Sequence, residues 1–336
     1  MSSGPKFFLV TSRGYMATTW LAAGLDQLPD VVAVHSTAPE YSRIDATKSV
    51  AQQLMQLTAL KPARCYGIIA GVNCATLHKA VTRQSFEDIN VSTAQLFRNP
   101  IMVAEAAATR TSEGWGENKK HTTWAVTASA SILANRLGQA KITWPDSVRA
   151  CVLNGDETTF ARIAGMWARL DAAAAEAAGY ELLTHHMATK GSGAILGNHP
   201  IFRFEDFTSD IAVFRKLVEH VTSESVDDDV LSRIFAIPAL RKHRSNDVND
   251  PNQVYDSWHP AERDFFNTVL RVTGLRKFHK DRNLYSLPEE WSDAPPDFGL
   301  PETPPYNNVI INLAALMPVS PLDYIGETDD ASATLG

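Results

Sequence analysis

Apolar and polar positions fall into short blocks through the first hundred residues. Phe7–Thr11 is an apolar run with a polar end and predicts a buried strand. Thr18–Leu28 is built of helix formers and stops at Pro29. Val31–His35 (VVAVH) predicts a second strand, and Asp45–Leu60 a helix with Val50, Leu54 and Leu57 on one face. Cys65–Ala70 (CYGIIA) predicts a third strand, Ala75–Thr82 a short helix, Val91–Phe97 a fourth strand and Pro100–Ser112 an alanine-rich helix. Strand and helix in alternation predict an α/β fold, a central parallel sheet with helices on both faces.

The middle third changes character. Thr122–Leu137 and Asp156–Ala178 read as helices, the second with a core stripe of Phe160, Ile163, Trp167 and Leu170. Between helices, Glu113–His121 is a polar loop, read as a solvated turn with a lid over a site as the alternative. After the turn-like GSGAILGNHP comes a strand at Ile201–Phe204, then Glu205-Asp206, read as structural, and a helix over Ile211–Val221. Asp227–Asp229 acidify the first turn of a helix ending near Phe235. Ala294–Pro305 is proline-rich and predicts an extended wrapping segment. No internal repeat is present. The expected organisation is one domain over 1–325, with a helical insertion at 113–198 and a frayed tail at 326–336.

Composition narrows the classes. The 336 residues are 44% hydrophobic and 21% charged, ordinary for a globular enzyme. A net charge of −7 argues against a nucleic-acid partner, so any anion is met by a local cluster. Cys65, Cys74 and Cys151 share no metal-ligand spacing and read as free thiols in a reducing compartment. His185-His186 are adjacent and point apart on a regular element, so no metal site is expected there. The apolar run before Thr11 is too short for a signal-peptide core, and no run approaches the roughly 20 apolar residues a bilayer needs. Val309–Met317 is of core-helix length. A cytoplasmic protein without a membrane span is expected.

The turn after the first strand carries the candidate chemistry. A helix opening behind a buried strand offers unpaired N–H groups and a positive dipole end to an anion. Arg13 adds a charged, fork-shaped donor, and Gly14 permits close backbone approach. Thr18 and Thr19 place hydroxyls at the helix opening, followed by the flat face of Trp20. The Walker pattern GxxxxGK[ST] is absent, which argues against an ordinary ATPase or GTPase.

This turn, with its TTW ending and the Leu-Pro-Asp turn beyond, resembles the 5′-phosphosulfate loop of sulfotransferases dependent on 3′-phosphoadenosine 5′-phosphosulfate (PAPS). Later segments resemble that family in the same order: Tyr66–Leu77, Gln95–Pro100 (QLFRNP), Ile201–Val221, then Leu240–Ser245 and Trp258. The likeness spans roughly residues 5–110 and 199–270, and the order of its motifs carries it. It implies a P-loop sulfotransferase-like fold and transfer of a sulfuryl group from PAPS to a hydroxyl or amine. The acceptor would be a small molecule or carbohydrate, held by the middle third and C-terminal segment, with Trp115, Trp144 and Tyr180 as possible walls. PAPS would be the co-substrate, and no metal would be needed.

The resemblance also implies roles. Arg13 with the loop amides would support the leaving phosphate; Gly14, Tyr15, Thr18 and Thr19 would surround the 5′-phosphate, and Trp20 would pack on adenine. Arg98 would grip the 3′-phosphate, with Thr109 as partial substitute for a serine and Arg241, Lys242 and Arg244 closing over it. Three positions depart from the family: Tyr15 stands where a lysine or arginine is usual, Ala106 where a serine is usual, and Ala70 where related sequences carry histidine. Another base is therefore needed. His35, at the end of the second strand, is the leading candidate, with His78 and Glu105 behind it. A nucleotide-binding protein without transfer activity, and a divergent P-loop kinase, are the alternatives.

Overall fold

A computed structural model describes residues 4–12, 18–83, 86, 89–115, 145–154, 156–190, 198–237 and 250–288. Several expectations lie outside the described residues: Arg13, Gly14 and Tyr15; Arg241, Lys242 and Arg244; the helix at 122–137; Trp144; the segments 294–305 and 309–317; and the tail.

Five parallel strands form one sheet in the order β2-β3-β1-β4-β5. They are β1 (Lys6–Thr11), β2 (Val31–His35), β3 (Cys65–Ile69), β4 (Val91–Phe97) and β5 (Ile201–Arg203). The first four match the apolar runs, because strands covered on both faces need near-continuous hydrophobic sequence. Gly67 of β3 lies opposite Phe8 of β1; a Cβ there would come 2.0 Å from the Phe8 ring, so glycine makes room for it.

Helices cover both faces, an α/β architecture. On one face α1 (Thr18–Leu25), α8 (Ile211–Thr222) and α9 (Asp228–Phe235) pack on Phe8, Val10, Ala94 and Leu96. On the other, α2 (Val50–Leu57) and α3 (Cys74–Thr82) pack on Phe7, Leu9, Val32 and Ile68. There α4 (Pro100–Trp115), α5 (Asp146–Leu153) and the long α6 (Glu157–Lys190) continue the layer. α7 (Phe204–Ser209) follows β5 directly. The chain then adds α10 (Pro251–Ser257), α11 (Pro260–Val272) and α12 (Leu275–Asp281) to the helical core of α4 and α6.

Helix boundaries differ from expectation for local reasons. α1 ends at Leu25 because Gln27 and Leu28 tighten into turns bonded to Gly24 and Leu25 ahead of Pro29. α2 starts at Val50: Asp45 spends its carboxylate on the Thr47 N–H and hydroxyl, and Ser49 with Gln52 forms a capping box. α6 runs on past Ala178, because Gly179 serves close packing and does not stop the helix; a Cβ there would lie 2.7 Å from the Ala75 nitrogen. Ile163, Trp167 and Leu170 of its expected stripe are buried.

Three helices also meet at a buried charge cluster. Glu105 of α4 accepts from Arg162 Nη2 at 2.8 Å and Trp258 Nε1 at 2.6 Å, while Arg162 Nε pairs with Glu262 of α11. Partnered on every side, these charges hold the helices in register.

Candidate functional site

The carboxyl ends of the strands are where the connections diverge. The chain leaves β1 for α1 on one face, whereas its neighbours β3 and β4 lead to α3 and α4 on the other. Such a switch point opens a crevice beside the end of the central strand. Among the described residues, Ser12, Thr18, His35 and Arg98 stand at this edge.

Strand alternation assigns them a common face. Phe8 and Val10 of β1 face α1, and Ser12 continues that series. Val31 and Ala33 of β2 face the same core, and His35 continues theirs; it bonds Thr18 at the first turn of α1 with Nε2 and Oγ1 2.8 Å apart. Arg98 leaves β4 after Phe97 and lays its guanidinium over the Phe204 ring, 4.6 Å from the centroid. Phe204 packs against the core that contains Trp20 and Leu21. β1 and β4 pair through Thr11 and Gln95, so Arg98 emerges one strand spacing, about 4.8 Å, from the line of β1.

His35 is fixed from both sides. Its Nδ1 accepts from the Thr37 N–H at 3.1 Å and lies 2.7 Å from the Thr37 hydroxyl, while Nε2 meets Thr18. Burial lowers its proton affinity below that of an ordinary histidine, so the ring is neutral. Both nitrogens thus meet hydroxyl neighbours, Thr18 on one side and Thr37 on the other, and the ring contacts Thr18 at the head of α1.

Other expected site residues take different places. Trp20 is 5% exposed, donates from Nε1 to the Ile237 carbonyl at 2.8 Å, and packs among Phe207, Phe214 and Phe235. Its ring belongs to the core and is not offered to adenine. Thr109 donates to Glu105 Oε1 at 2.9 Å, so its hydroxyl serves the charge cluster and not a phosphate. Glu105 has both oxygens occupied by Thr109, Arg162 and Trp258, which removes it as a base. His78 lies edge-on to His186 of α6, ring centroids 5.5 Å apart, away from the β1 crevice on the α3–α6 contact. Tyr180 is buried against Phe97 and Phe278 and donates to the His199 carbonyl, a core residue and no acceptor wall. Thr19 is exposed at the head of α1. Ala70, where the family resemblance looks for histidine, has φ 59°, a left-handed conformation that costs an alanine about 1 kcal/mol. Glu205 is structural as expected: it accepts from the Asn99 N–H and from the Tyr285 hydroxyl.

Sequence reasoning missed two residues, Ser12 and Thr37. Ser12 carries a signal, a hydroxyl directly after a buried strand; Thr37 carries none, because its contacts with His35, through both N–H and hydroxyl, follow no sequence pattern.

A second polar cluster lies on the opposite face of β1. Thr11 donates to Gln95 Oε1 at 2.5 Å, and Cys74 Sγ donates to the same oxygen at 2.7 Å. His199 places Nε2 3.7 Å from Cys74 Sγ and Nδ1 2.8 Å from the Thr93 hydroxyl. Thiol, imidazole and hydroxyl in that order have the form of a nucleophile, its base and an orienting group. The thiol is sealed in the core, however, and its proton is directed at Gln95.

Searches against family models, curated proteins and solved structures found no match to this chain. The class that the fold defines is an α/β protein with an all-parallel five-stranded sheet. No helix among the described residues is long and apolar enough to cross a membrane, and no group of three or more potential metal ligands occurs among them.

Proposed function

We propose that this protein is a PAPS-dependent sulfotransferase that moves a sulfuryl group to a hydroxyl or amine of a small-molecule or carbohydrate acceptor. The observation that carries this reading is the placement of Arg98. It emerges beside the end of β1, on the face of the sheet that α1 covers, so one ligand can span the head of α1 and this guanidinium. A 5′-phosphosulfate at the β1–α1 turn would meet Arg13, Thr18 and Thr19, and a 3′-phosphate would meet Arg98. In the transfer, the acceptor oxygen or nitrogen forms a bond to sulfur. The bond from sulfur to the bridging oxygen breaks, its electron pair stays on the 5′-phosphate, and the acceptor's proton goes to water or a base.

One observation favours a second reading, a nucleotide-binding protein without transfer activity. Two of the expected bases, His35 and Glu105, have their proton-accepting atoms occupied by neighbours.

Titration calorimetry with adenosine 3′,5′-bisphosphate and, separately, ATP tests the proposal. The bisphosphate should bind more tightly, and Arg98→Ala should weaken it by about 1.5–3 kcal/mol, the range for a lost charged hydrogen bond. A preference for ATP would point to a kinase-like protein, and an Arg98→Ala variant of unchanged affinity would remove the nucleotide from this crevice. Sulfate transfer to a panel of phenols, alcohols, amines and sugars then separates the enzyme from the binding protein.

A further inference from the structure

Parallel pairing sets Phe97 of β4 beside Arg203 of β5, so the next residues, Arg98 and Phe204, are neighbours on the opposite face of the sheet. Arg98 accordingly lies over the Phe204 ring, while Arg203 lies over the ring of Tyr285, 4.8 Å from its centroid. Tyr285 arrives from beyond α12, is buried, and meets the His279 ring edge-on with centroids 5.4 Å apart. Its hydroxyl donates to Glu205 Oε2 at 2.5 Å, with the Phe97 carbonyl oxygen at 3.0 Å as a second acceptor. Burial and the adjacent Glu205 carboxylate raise its proton affinity above that of an ordinary phenol, so the group stays a donor.

The other oxygen of Glu205, Oε1, accepts from the Asn99 N–H at 3.1 Å. The Phe97 carbonyl belongs to the peptide unit before Arg98, and the Asn99 N–H to the unit after it. Each unit is planar, and the two meet at the Arg98 Cα. Holding both therefore fixes φ and ψ of Arg98 and the direction in which its side chain leaves the backbone. Asn99 is also tied to α4: its Oδ1 accepts from the Ile101 N–H at 2.9 Å, and its carbonyl from the Val103 N–H at 3.0 Å. Satisfying buried backbone groups requires only that each find some partner. Here one pair, drawn from two distant segments, closes on the two units that flank a single cation.

We propose that Tyr285 and Glu205 are positioning residues that clamp the backbone on both sides of Arg98 and so aim its guanidinium at the 3′-phosphate of a bound nucleotide. The nucleotide's part in this rests on the sulfotransferase reading; the clamp rests on the hydrogen bonds alone. Through it the stretch after α12 acts on the ligand site by way of Arg98.

Amide hydrogen exchange and calorimetry on the full chain test the proposal. Tyr285→Phe keeps the ring between Arg203 and His279 and deletes only the hydroxyl. Without ligand, the Asn99 N–H should then exchange at least about fivefold faster while the amides of β1 and β3 keep their rates. Unchanged exchange at Asn99, or equal acceleration across the sheet, overturns the clamp. Adenosine 3′,5′-bisphosphate and adenosine 5′-monophosphate are titrated in separate arms. Tyr285→Phe should weaken the bisphosphate about fivefold and leave the monophosphate within about twofold, because only the first carries a 3′-phosphate. Equal losses for both, or no loss for either, overturn the positioning role. In an Arg98→Ala background, Tyr285→Phe should change bisphosphate affinity by less than about twofold, since the two residues act as one unit. A loss that stays about fivefold there would show Tyr285 working independently of Arg98, and overturns the proposal. Glu205→Gln leaves one accepting oxygen in place of two and should lower the preference for the bisphosphate in the same way, which keeps the test open if Tyr285→Phe fails to fold. An unchanged preference in that variant overturns the clamp. If the parent protein does not distinguish the two nucleotides, the sulfotransferase reading falls, and exchange at Asn99 alone decides the clamp.

Discussion

Thr11 and Ser12 are adjacent in the chain and sit in opposite situations. Thr11 faces the cluster of Gln95, Cys74, His199 and Thr93, where hydrogen bonds run from one member to the next. Ser12 faces the α1 side, where its hydroxyl is buried without a partner among the described residues and Thr18 meets His35. A buried polar group closed on its neighbours specifies packing, whereas one left open carries an uncompensated desolvation cost. The cluster that looks most like catalytic machinery, a thiol beside an imidazole, is therefore the structural one.

Removing the hub of the closed cluster should have the largest effect. Gln95→Leu takes away the oxygen that accepts from both Thr11 and Cys74, and the amide that donates to the Leu96 carbonyl at 2.8 Å. Urea denaturation should show a loss of about 2–4 kcal/mol, with anion affinity at the α1 edge unchanged. Reduced anion binding in a folded variant would break the comparison, because the two clusters would then be one.

Acid should load the closed cluster next. Burial pushes His199 down to about 3 from an ordinary 6.5, with His220 nearby acting in the same direction and its hydrogen bond to Thr93 opposing. The folded form therefore binds a proton less readily than the unfolded form. The stabilisation is complete above pH 6.5 and falls progressively as the pH drops toward 3, by at most about 1.4 kcal/mol per pH unit for this residue. His279, also held near 3 by burial, adds to the slope in the same window. Unfolding free energies measured at pH 7 and pH 5 should therefore converge in His199→Gln relative to the parent protein. An identical pH dependence in both would place the titrating group elsewhere.

The same contrast explains what was legible in the sequence. β1 to β4 could be read because a strand covered on both faces needs an unbroken apolar run, and each has one. α10 to α12 escaped notice although Pro251 and Pro260 each follow a residue able to cap a helix. Thr18, His35 and Arg98 were legible as polar residues at strand and helix ends. Their partners were not, because the contacts of His35 with Thr18 and Thr37 arise in the fold and from no pattern in the chain. Thr109 was assigned by its distance from Arg98 along the chain, while Arg162 and Trp258 decide what its partner Glu105 does.

Trp20 sharpens the comparison with the smallest effect. In sequence it follows the threonine pair at the opening of the helix, and the family resemblance makes it a platform for adenine. In the fold, Phe207, Phe214 and Phe235 arrive from distant parts of the chain to enclose it, and its N–H is taken by the Ile237 carbonyl. Trp20→Phe keeps an aromatic ring in the core and deletes that one hydrogen bond, so stability should fall by only about 1 kcal/mol. Affinity for adenosine 3′,5′-bisphosphate should stay within about twofold, since no face of the ring is open to a base. A large loss of affinity with stability retained would mean that Trp20 leaves the core to meet the nucleotide, and the α1 edge would then extend into what is here its hydrophobic support.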